Sequence, residues 1–450
     1  MDQRKMNTKK QWAEMTWEEK RAERFKRWLT VPNIEFVSQE AEKLYTERVT
    51  RFARAFQLEK PDRVPCILPV SNFAAYYGGS DLRTVMYDYD ELKRTWRKFL
   101  YEFSDSDMFF GPGMVPSGKM LEVLDYKLYK WPGHGISGDT TSYQCVEGEY
   151  MKADEYDVLV KDPSNFWLRT YLPRVFGAFE PLRNIPPFTT IEEIAIMSFV
   201  NYGRPDVQAA FEALLEAGRE SMKWMSVVME VSQEAIRMGY PAIMGGLAKA
   251  PFDTLGDTLR GTRGVMMDIF QQPDKLHVAM ERIASLTIDS SLSSIGDSGV
   301  PLIMMPLHKG ADGFMSIKQY ETFYWPTFQK VIMAFVNEGI LPILFAEGSY
   351  NTRLDIIKEL PKNSVAWWFD QTDMARAKKV LGDKACIIGN VPTSLLMTGT
   401  PQEVKEYCRK LIEVCAPAGG YILSGGANID KGNPDNLRAM MEAVKEYGVY

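Results

Sequence analysis

The sequence predicts an α/β fold: a (β/α)8 TIM barrel with an N-terminal helical arm and a β-hairpin insertion. Three observations predict it. Five short apolar runs follow one another between Val300 and Gly426, and each breaks into small, polar or charged residues before a helical stretch begins. Parallel strands alternating with helices have this pattern. Upstream, two segments alternate at period two around a glycine-rich turn, which is the pattern of a hairpin. No low-complexity linker divides the chain, so its 450 residues read as one barrel domain, 1–450, with decorations.

The arm spans 1–55. Thr16 precedes an amphipathic stretch, Trp17–Trp28, and Glu19 lies three residues on as its capping-box partner. Ser38 caps a second such stretch. Its third residue on is Ala41, so no box forms there, but Glu40 suits the positive end of the helix dipole. These helices are expected to lie on the barrel or across a subunit interface, which leaves a homo-oligomer open.

A first strand is expected at Cys66-Ile-Leu-Pro-Val70 and a second at Asp107-Met-Phe-Phe110. The hairpin insertion, 114–153, comprises Tyr126–Trp131 and Tyr143–Tyr150 around Pro132–Gly138. Helices are expected over 153–180 and 205–238. A strand between about 185 and 200 is interrupted by Pro186-Pro187. Another strand is expected at Pro241–Gly246, then helices over 254–271 and 274–296. The five regular runs follow: Val300–His308, Leu341–Glu347, Ser364–Asp370, Ala385–Asn390 and Gly420–Gly426.

Composition narrows the function classes. The chain is 45% hydrophobic and 25% charged with a net charge of −6, ordinary for a globular protein with a sizeable core. No basic block suggests a nucleic-acid partner, and no apolar run has the ~18 residues that spanning a membrane requires. The polar N-terminus does not read as a signal peptide. Five cysteines are scattered without a C-x-x-C pair, as expected of reduced thiols in a cytoplasmic protein. The 25 methionines and 10 tryptophans read as plastic core packing or as the lining of a roomy apolar pocket.

In a (β/α)8 barrel the chemistry sits where strands end. His308 precedes Lys309-Gly-Ala-Asp-Gly313 and is one of three histidines. Neutral imidazole can bind a metal or shuttle protons. Glu347 closes an otherwise apolar strand, where a carboxylate is poorly placed for core packing. Asp370 ends Trp367-Trp-Phe-Asp in the same way. These three are the candidate catalytic residues, and His308 and Glu347 the candidate metal ligands. Candidate substrate-binding residues are Asn390 and Asn428, which offer neutral hydrogen bonds, the acid Asp253, the aromatics Tyr76 and Trp368, and Arg353, which could instead pair with Glu347. Phe73, Tyr77 and Trp367 add to an aromatic supply suited to a flat substrate.

Several of these segments carry a resemblance. Pro61-Asp-Arg-Val-Pro65, Ala250-Pro-Phe252 with Thr254-Leu255, Gly389-Asn390 with Gly399-Thr-Pro-Gln-Glu-Val404, and Asn436–Gly448 together resemble the uroporphyrinogen decarboxylase superfamily. The resemblance covers roughly 60–75 and 240–450, and it implies a (β/α)8 barrel. True decarboxylases of the family hold a tetrapyrrole with several acidic arms through an arginine-rich N-terminal segment and an aspartate. Here Cys66–Phe73 lacks the arginine pair, and the family histidine near the final strand is replaced within Leu423-Ser-Gly-Gly-Ala-Asn428. A substrate with many carboxylates needs cationic partners, so the chain is more similar to the corrinoid-dependent methyltransferase branch.

Thiol-methylating members of that branch bind zinc through an H-x-C pair and a later cysteine. The matching positions here are Phe345-Ala-Glu347 and Ala427. The resemblance therefore implies that Glu347 stands in place of a metal ligand, for an oxygen- and nitrogen-bound zinc or as a general acid. The implied function is transfer of a methyl group from a small methylated donor, such as an aryl methyl ether, to a corrinoid carried by a partner protein. The alternatives are a lyase acting on a smaller carboxylic acid and a non-catalytic binding subunit.

Overall fold

The computed structural model describes residues 11–188, 195–242, 244–296 and 299–450. In chain order its strands are β1 (Cys66–Ile67), β2 (Tyr129–Pro132), β3 (Gly135–Ile136), β4 (Gln144–Cys145), β5 (Gly246–Leu247), β6 (Leu302–Leu307), β7 (Leu341–Ala346), β8 (Ala366–Phe369), β9 (Cys386–Ile388) and β10 (Tyr421–Ser424). Seven of them form one parallel, curled sheet in the order β1-β10-β9-β8-β7-β6-β5. The helices between them cover its outer face, as a TIM-like barrel requires. The five regular runs all became sheet strands, β6 to β10.

The expected strand at Asp107–Phe110 has no regular secondary structure and joins no ladder. Its place beside β1 is taken by a side chain: Asp107 Oδ2 accepts from Cys66 N at 2.8 Å, while Asp107 N donates to Cys66 O at 3.2 Å. Arg51 and Arg63 close on the same carboxylate. The expected strand near 185–200 is not found among the described residues. Gly177–Asn184 and Ala195–Gly203 are short 3-10 helices, and 189–194 lie outside the described residues. In the expected strand Pro241–Gly246, Ile243 also lies outside them, and the sheet is joined at Gly246–Leu247.

The arm supplies two helices, α1 (Trp17–Thr30) and α2 (Gln39–Phe56). Both predicted starts are present. Thr16 and Glu19 form the reciprocal box, and Ser38 caps alone by accepting from Ala41 N at 3.1 Å. The arm closes the strand-entry end of the barrel. Trp28, Tyr45, Val49, Phe52 and Phe56 cluster with the inward residues Ile67, Leu302, Met304, Leu341, Ile343, Ala366, Cys386, Ile388 and Ile422. Each fully buried ring contributes about 1.5–3 kcal/mol. Arg21 fastens α1 by donating to Ile340 O at 2.7 Å and Ser364 O at 3.0 Å, the backbone just before β7 and β8. Arg48 does the same from α2 with Gly239 O at 2.8 Å and Ser104 O at 2.7 Å.

At the other end, the hairpin insertion forms a small sheet in which β2 and β4 run antiparallel, with Tyr129 opposite Cys145. Asn72, just past β1, donates to Thr141 O at 3.2 Å and ties the insertion to the rim. A 33-residue helix, Pro205–Arg237, runs beside it. Among the described residues no helix is long and apolar enough to cross a membrane.

Candidate functional site

The strands of the barrel are buried on both faces, so side chains alternate between the barrel interior and the helix layer. In β7, Leu341, Ile343 and Phe345 point inward, and in β8, Ala366 and Trp368 do. Two residues past each inward Phe345 and Trp368 come Glu347 and Asp370, on the same face. Register puts them level. Leu307 pairs with Ala346 and Ala346 with Phe369, so His308, Glu347 and Asp370 follow one step further along neighbouring strands. Trp368 pairs with Ile388 and Ile388 with Ile422, which brings Asn390 and Ser424 onto the same tier. Four of the residues singled out in the sequence, and Ser424 in addition, thus share one ring at the barrel mouth.

His308 is the centre of this ring's electrostatics. Its Nδ1 lies 2.5 Å from Asp257 Oδ2, and its Nε2 lies 3.4 Å from Glu347 Oε1. Burial works against charge on the ring, but the contacts with Asp257 and Glu347 outweigh it and hold the imidazole pKa at about 10. His308 is therefore an imidazolium at neutral pH. Asp257 also receives Lys249 Nζ at 2.7 Å and Lys309 Nζ at 3.2 Å. Burial acts against its charge too, but His308 and Lys249 prevail and hold the carboxyl far below the usual range. Three cations share this one carboxylate, and Glu347 faces the cluster with its side chain 44% exposed to the mouth.

Asp370 accepts from Gly348 N at 3.0 Å. Burial and the neighbouring Glu347 charge raise its pKa above the usual range. Asn390 Nδ2 donates to the carbonyls of Asp370 at 2.9 Å and Thr372 at 2.8 Å, so it shapes the loop after β8. Its Oδ1 and Ser424 Oγ are buried and make no hydrogen bond with the described residues.

The other candidates are arranged differently. Asp253 is fully buried behind the mouth, where it accepts from His308 N at 3.1 Å, Lys309 N at 2.7 Å and Tyr324 Oη at 2.7 Å. It holds the chain leaving β6 and so positions His308, rather than facing a ligand. Arg353 is 1% exposed and does not pair with Glu347. Its guanidinium lies over the Tyr320 ring and donates to Gly310 O at 3.2 Å and Met315 O at 2.5 Å, pinning the loop that follows His308. Trp368 is 2% exposed, packed on Phe345 and donating to Gly425 O at 2.9 Å. It forms a floor below the ring, out of reach of a stacking ligand. Tyr76 is half-buried under the Lys431 ammonium, and Asn428 is exposed on the loop after β10. The aromatic supply read at the mouth is largely core: Phe73 and Trp367 are buried among the outer helices.

The residue that sequence reasoning missed is Asp257. A signal was present, since it lies four residues after Asp253 in Asp253-Thr-Leu-Gly-Asp257 and shares a helix face with it. The zinc expectation meets a donor set that does not fit it. A zinc site needs about three or four deprotonated protein ligands. Here Asp257 already engages His308 Nδ1, and among the described residues no three His, Cys, Asp or Glu side chains form a group that could hold a metal.

Comparison with known proteins fits this architecture. Residues 203–447 match the family model described as "Uroporphyrinogen decarboxylase (URO-D)". The uroporphyrinogen decarboxylase of Coxiella burnetii is 21% identical over 245 residues, covering 52% of this chain and 66% of that protein. The chain thus spans about two-thirds of that relative's length. The methylcobamide:CoM methyltransferase MtbA of Methanosarcina acetivorans is 29% identical over 130 residues, 28% of this chain and 37% of that protein. Among solved structures, a methyltransferase from Methanosarcina mazei superposes with a TM-score of 0.58 at 15% identity, covering 90% of this chain and 98% of the other. This likeness is one of fold. With more than half its length matched by the family model and its parallel strands curled into the same barrel, the chain belongs to the uroporphyrinogen decarboxylase superfamily.

Proposed function

We propose that this chain is a methyltransferase component that takes a methyl group from a small donor whose departing atom is an oxygen, an aryl methyl ether being the best fit, and delivers it to a corrinoid on a partner protein. The observation that carries the reading is the imidazolium of His308, held at the mouth by Asp257 and flanked by Lys249 and Lys309. When a methyl–oxygen bond breaks, the electron pair stays on oxygen as a phenoxide. A proton donor at that atom lowers the barrier. His308 Nε2–H is only loosely engaged by Glu347 at 3.4 Å, so a donor oxygen can share that proton. Glu347 keeps the ring oriented, and Asp253 holds the backbone beneath it.

When bound, the corrinoid supplies the reduced cobalt that accepts the methyl group. Its arrival on a partner agrees with the exposure of Glu347 and His308 at the mouth, their side chains being 44% and 34% exposed. The likeness to a methylcobamide:CoM methyltransferase, in whose name the methylcobamide is the methyl donor, supports a corrinoid as the methyl-carrying partner, with the direction of transfer reversed here.

The test is methyl transfer to free cob(I)amide from a panel of aryl methyl ethers and methylamines, followed by the spectral change of the cobalamin. Ethers should react and amines should not. His308→Ala should slow transfer by about 10²–10⁴, the range of a lost general acid. Failure of every donor would sink the proposal, and so would a His308→Ala rate equal to wild type. Carbon dioxide release from a small acid without cobalamin would favour a lyase instead.

A further inference from the structure

The helix Pro205–Arg237 carries two apolar faces, and one of them packs on the chain. Val207, Ala210, Ala217, Val231 and Ala235 are buried against the fold. A second stripe, Leu214, Leu215, Met222, Met225 and Met229, faces solvent. Phe211 begins it, and its ring lies 6.2 Å from Tyr202, which stands 6.1 Å from Phe199 and 5.7 Å from Phe188. Phe188, Met197, Phe199 and Val200 are exposed as well, so the surface runs on across the short helix Ala195–Gly203. These nine side chains, each 46–78% exposed, together present on the order of 1,000 Å² to solvent, more than the ~300–600 Å² of the largest patch on a typical monomer.

That area matches the ~800 Å² per partner of a stable protein interface, and the geometry of the stripe suits a second copy of the same helix. Counted from Gly218, its apolar positions fall at −7, −4, −3, +4 and +7: Phe211, Leu214, Leu215, Met222 and Met225. This is the spacing of one helix face on either side of a central contact. At that centre a Cβ on Gly218 would meet nothing within 4 Å, so bare backbone is open to close approach by another helix. The methionines can adapt their packing to it.

The charges beside the stripe are self-complementary. Glu212 and Glu216 precede Gly218, and Arg219 and Lys223 follow it. In an antiparallel pair with its two-fold axis between Ala217 and Gly218, Glu212 is level with Lys223 of the second copy, and Glu216 with Arg219 of the second copy. Leu214 and Phe211 of the second copy come within one residue of level with Met222 and Met225. A parallel pair would set each charge against its own like. Within one helix Arg219 already reaches Glu216 at 2.6 Å and Lys223 reaches Glu220 at 3.0 Å. Exposed pairs of this kind fix direction and register more than they supply affinity.

We propose that this stripe is the interface of a homodimer in which two Pro205–Arg237 helices pack antiparallel about a two-fold axis beside Gly218. The occupant is a second copy because the two halves of the stripe complement each other in charge and in apolar content. A partner of one charge sign would meet acids and bases in equal number. Pairing here does not depend on the reaction at His308.

The test is sedimentation velocity of the full-length protein over a wide concentration range. Wild type should sediment as a dimer. Leu215→Glu and Met222→Glu, at exposed positions, should each raise the dimer Kd by about tenfold or more, because the second copy would bury an unpaired carboxylate. Their far-UV circular dichroism should match wild type, which separates dissociation from misfolding. Lys223→Glu should weaken the dimer, and adding Glu212→Lys to it should restore pairing, since the reversed charges meet only across an antiparallel seam. A wild-type monomer at every concentration would overturn the proposal and leave the stripe to a different protein. A dimer that neither Leu215→Glu nor Met222→Glu weakens would overturn it too, and failure of the charge reversal to restore pairing would overturn the antiparallel register.

Discussion

Replacing Asp257 by Asn removes the carboxylate closest to His308 while keeping the side-chain shape. In the wild-type chain the imidazole pKa is about 10 against an ordinary 6.5. At pH 8 about 99% of it is then charged. If the ring reverted fully to 6.5, about 3% would remain charged, roughly a thirtyfold fall. Glu347 at 3.4 Å retains part of the support, so the observed value should fall between these limits. The assay is a proton–carbon NMR titration of the imidazole resonances. It is tractable because the chain has only three histidines, which single substitutions of His134 and His277 can assign.

In wild type, His308 should show no titration through neutrality and begin to move only above about pH 9. In Asp257→Asn it should titrate at a clearly lower pH than in wild type. The linked stability has a definite sign, because the folded pKa is raised. His308's contribution is fully present below pH 6.5, is lost as pH rises through about 10, and should be flattened in Asp257→Asn. A wild-type His308 titrating at 6–7, or an unchanged value in the variant, would refute the reasoning.

Other outcomes follow from the same contacts. Glu347→Ala should leave the thermal midpoint within a degree or two, since an exposed charge contributes little, yet lower methyl transfer; metal analysis of both proteins should show no stoichiometric zinc. Trp28→Ala opens the bottom of the barrel and should cost about 3–5 kcal/mol in a denaturant titration, because the ring is 1% exposed. Tyr324→Phe removes a donor from the buried Asp253 carboxylate and should cost about 1–3 kcal/mol; a neutral result would mean that Asp253 does not depend on it. Thr16→Ala should cost about 1 kcal/mol through the lost box.

Much of the fold was legible. The runs from Val300 to Gly426 each became a strand because polar endings and helix starts punctuate them, and Thr16 and Ser38 capped as their local chemistry dictates. Asp107 was not legible as a strand breaker, because its carboxylate replaces a ladder bond to a residue 41 positions away. The expected strand near 185–200 is not found among the described residues, which carry 3-10 helices at Gly177–Asn184 and Ala195–Gly203.

The site was half legible for a similar reason. A polar residue ending an apolar run marks a strand end, which is local information, and His308, Glu347, Asp370 and Asn390 carry it. Which face each strand turns inward is not local. Adjacent Trp367 and Trp368 are equally apolar, and only closure of the sheet sends one to the helices and the other to the barrel floor. Burial on both faces erases the alternation from the sequence. Likewise Asp257 and Arg353 are both charged residues near strand ends, but tertiary contacts set the first against His308 and bury the second beneath a loop. The sequence by itself determined the strand–helix order and the polar tier. The tertiary structure alone decided which of those charges meet, because their separations of about 40–50 residues are bridged by strand register and not by the chain.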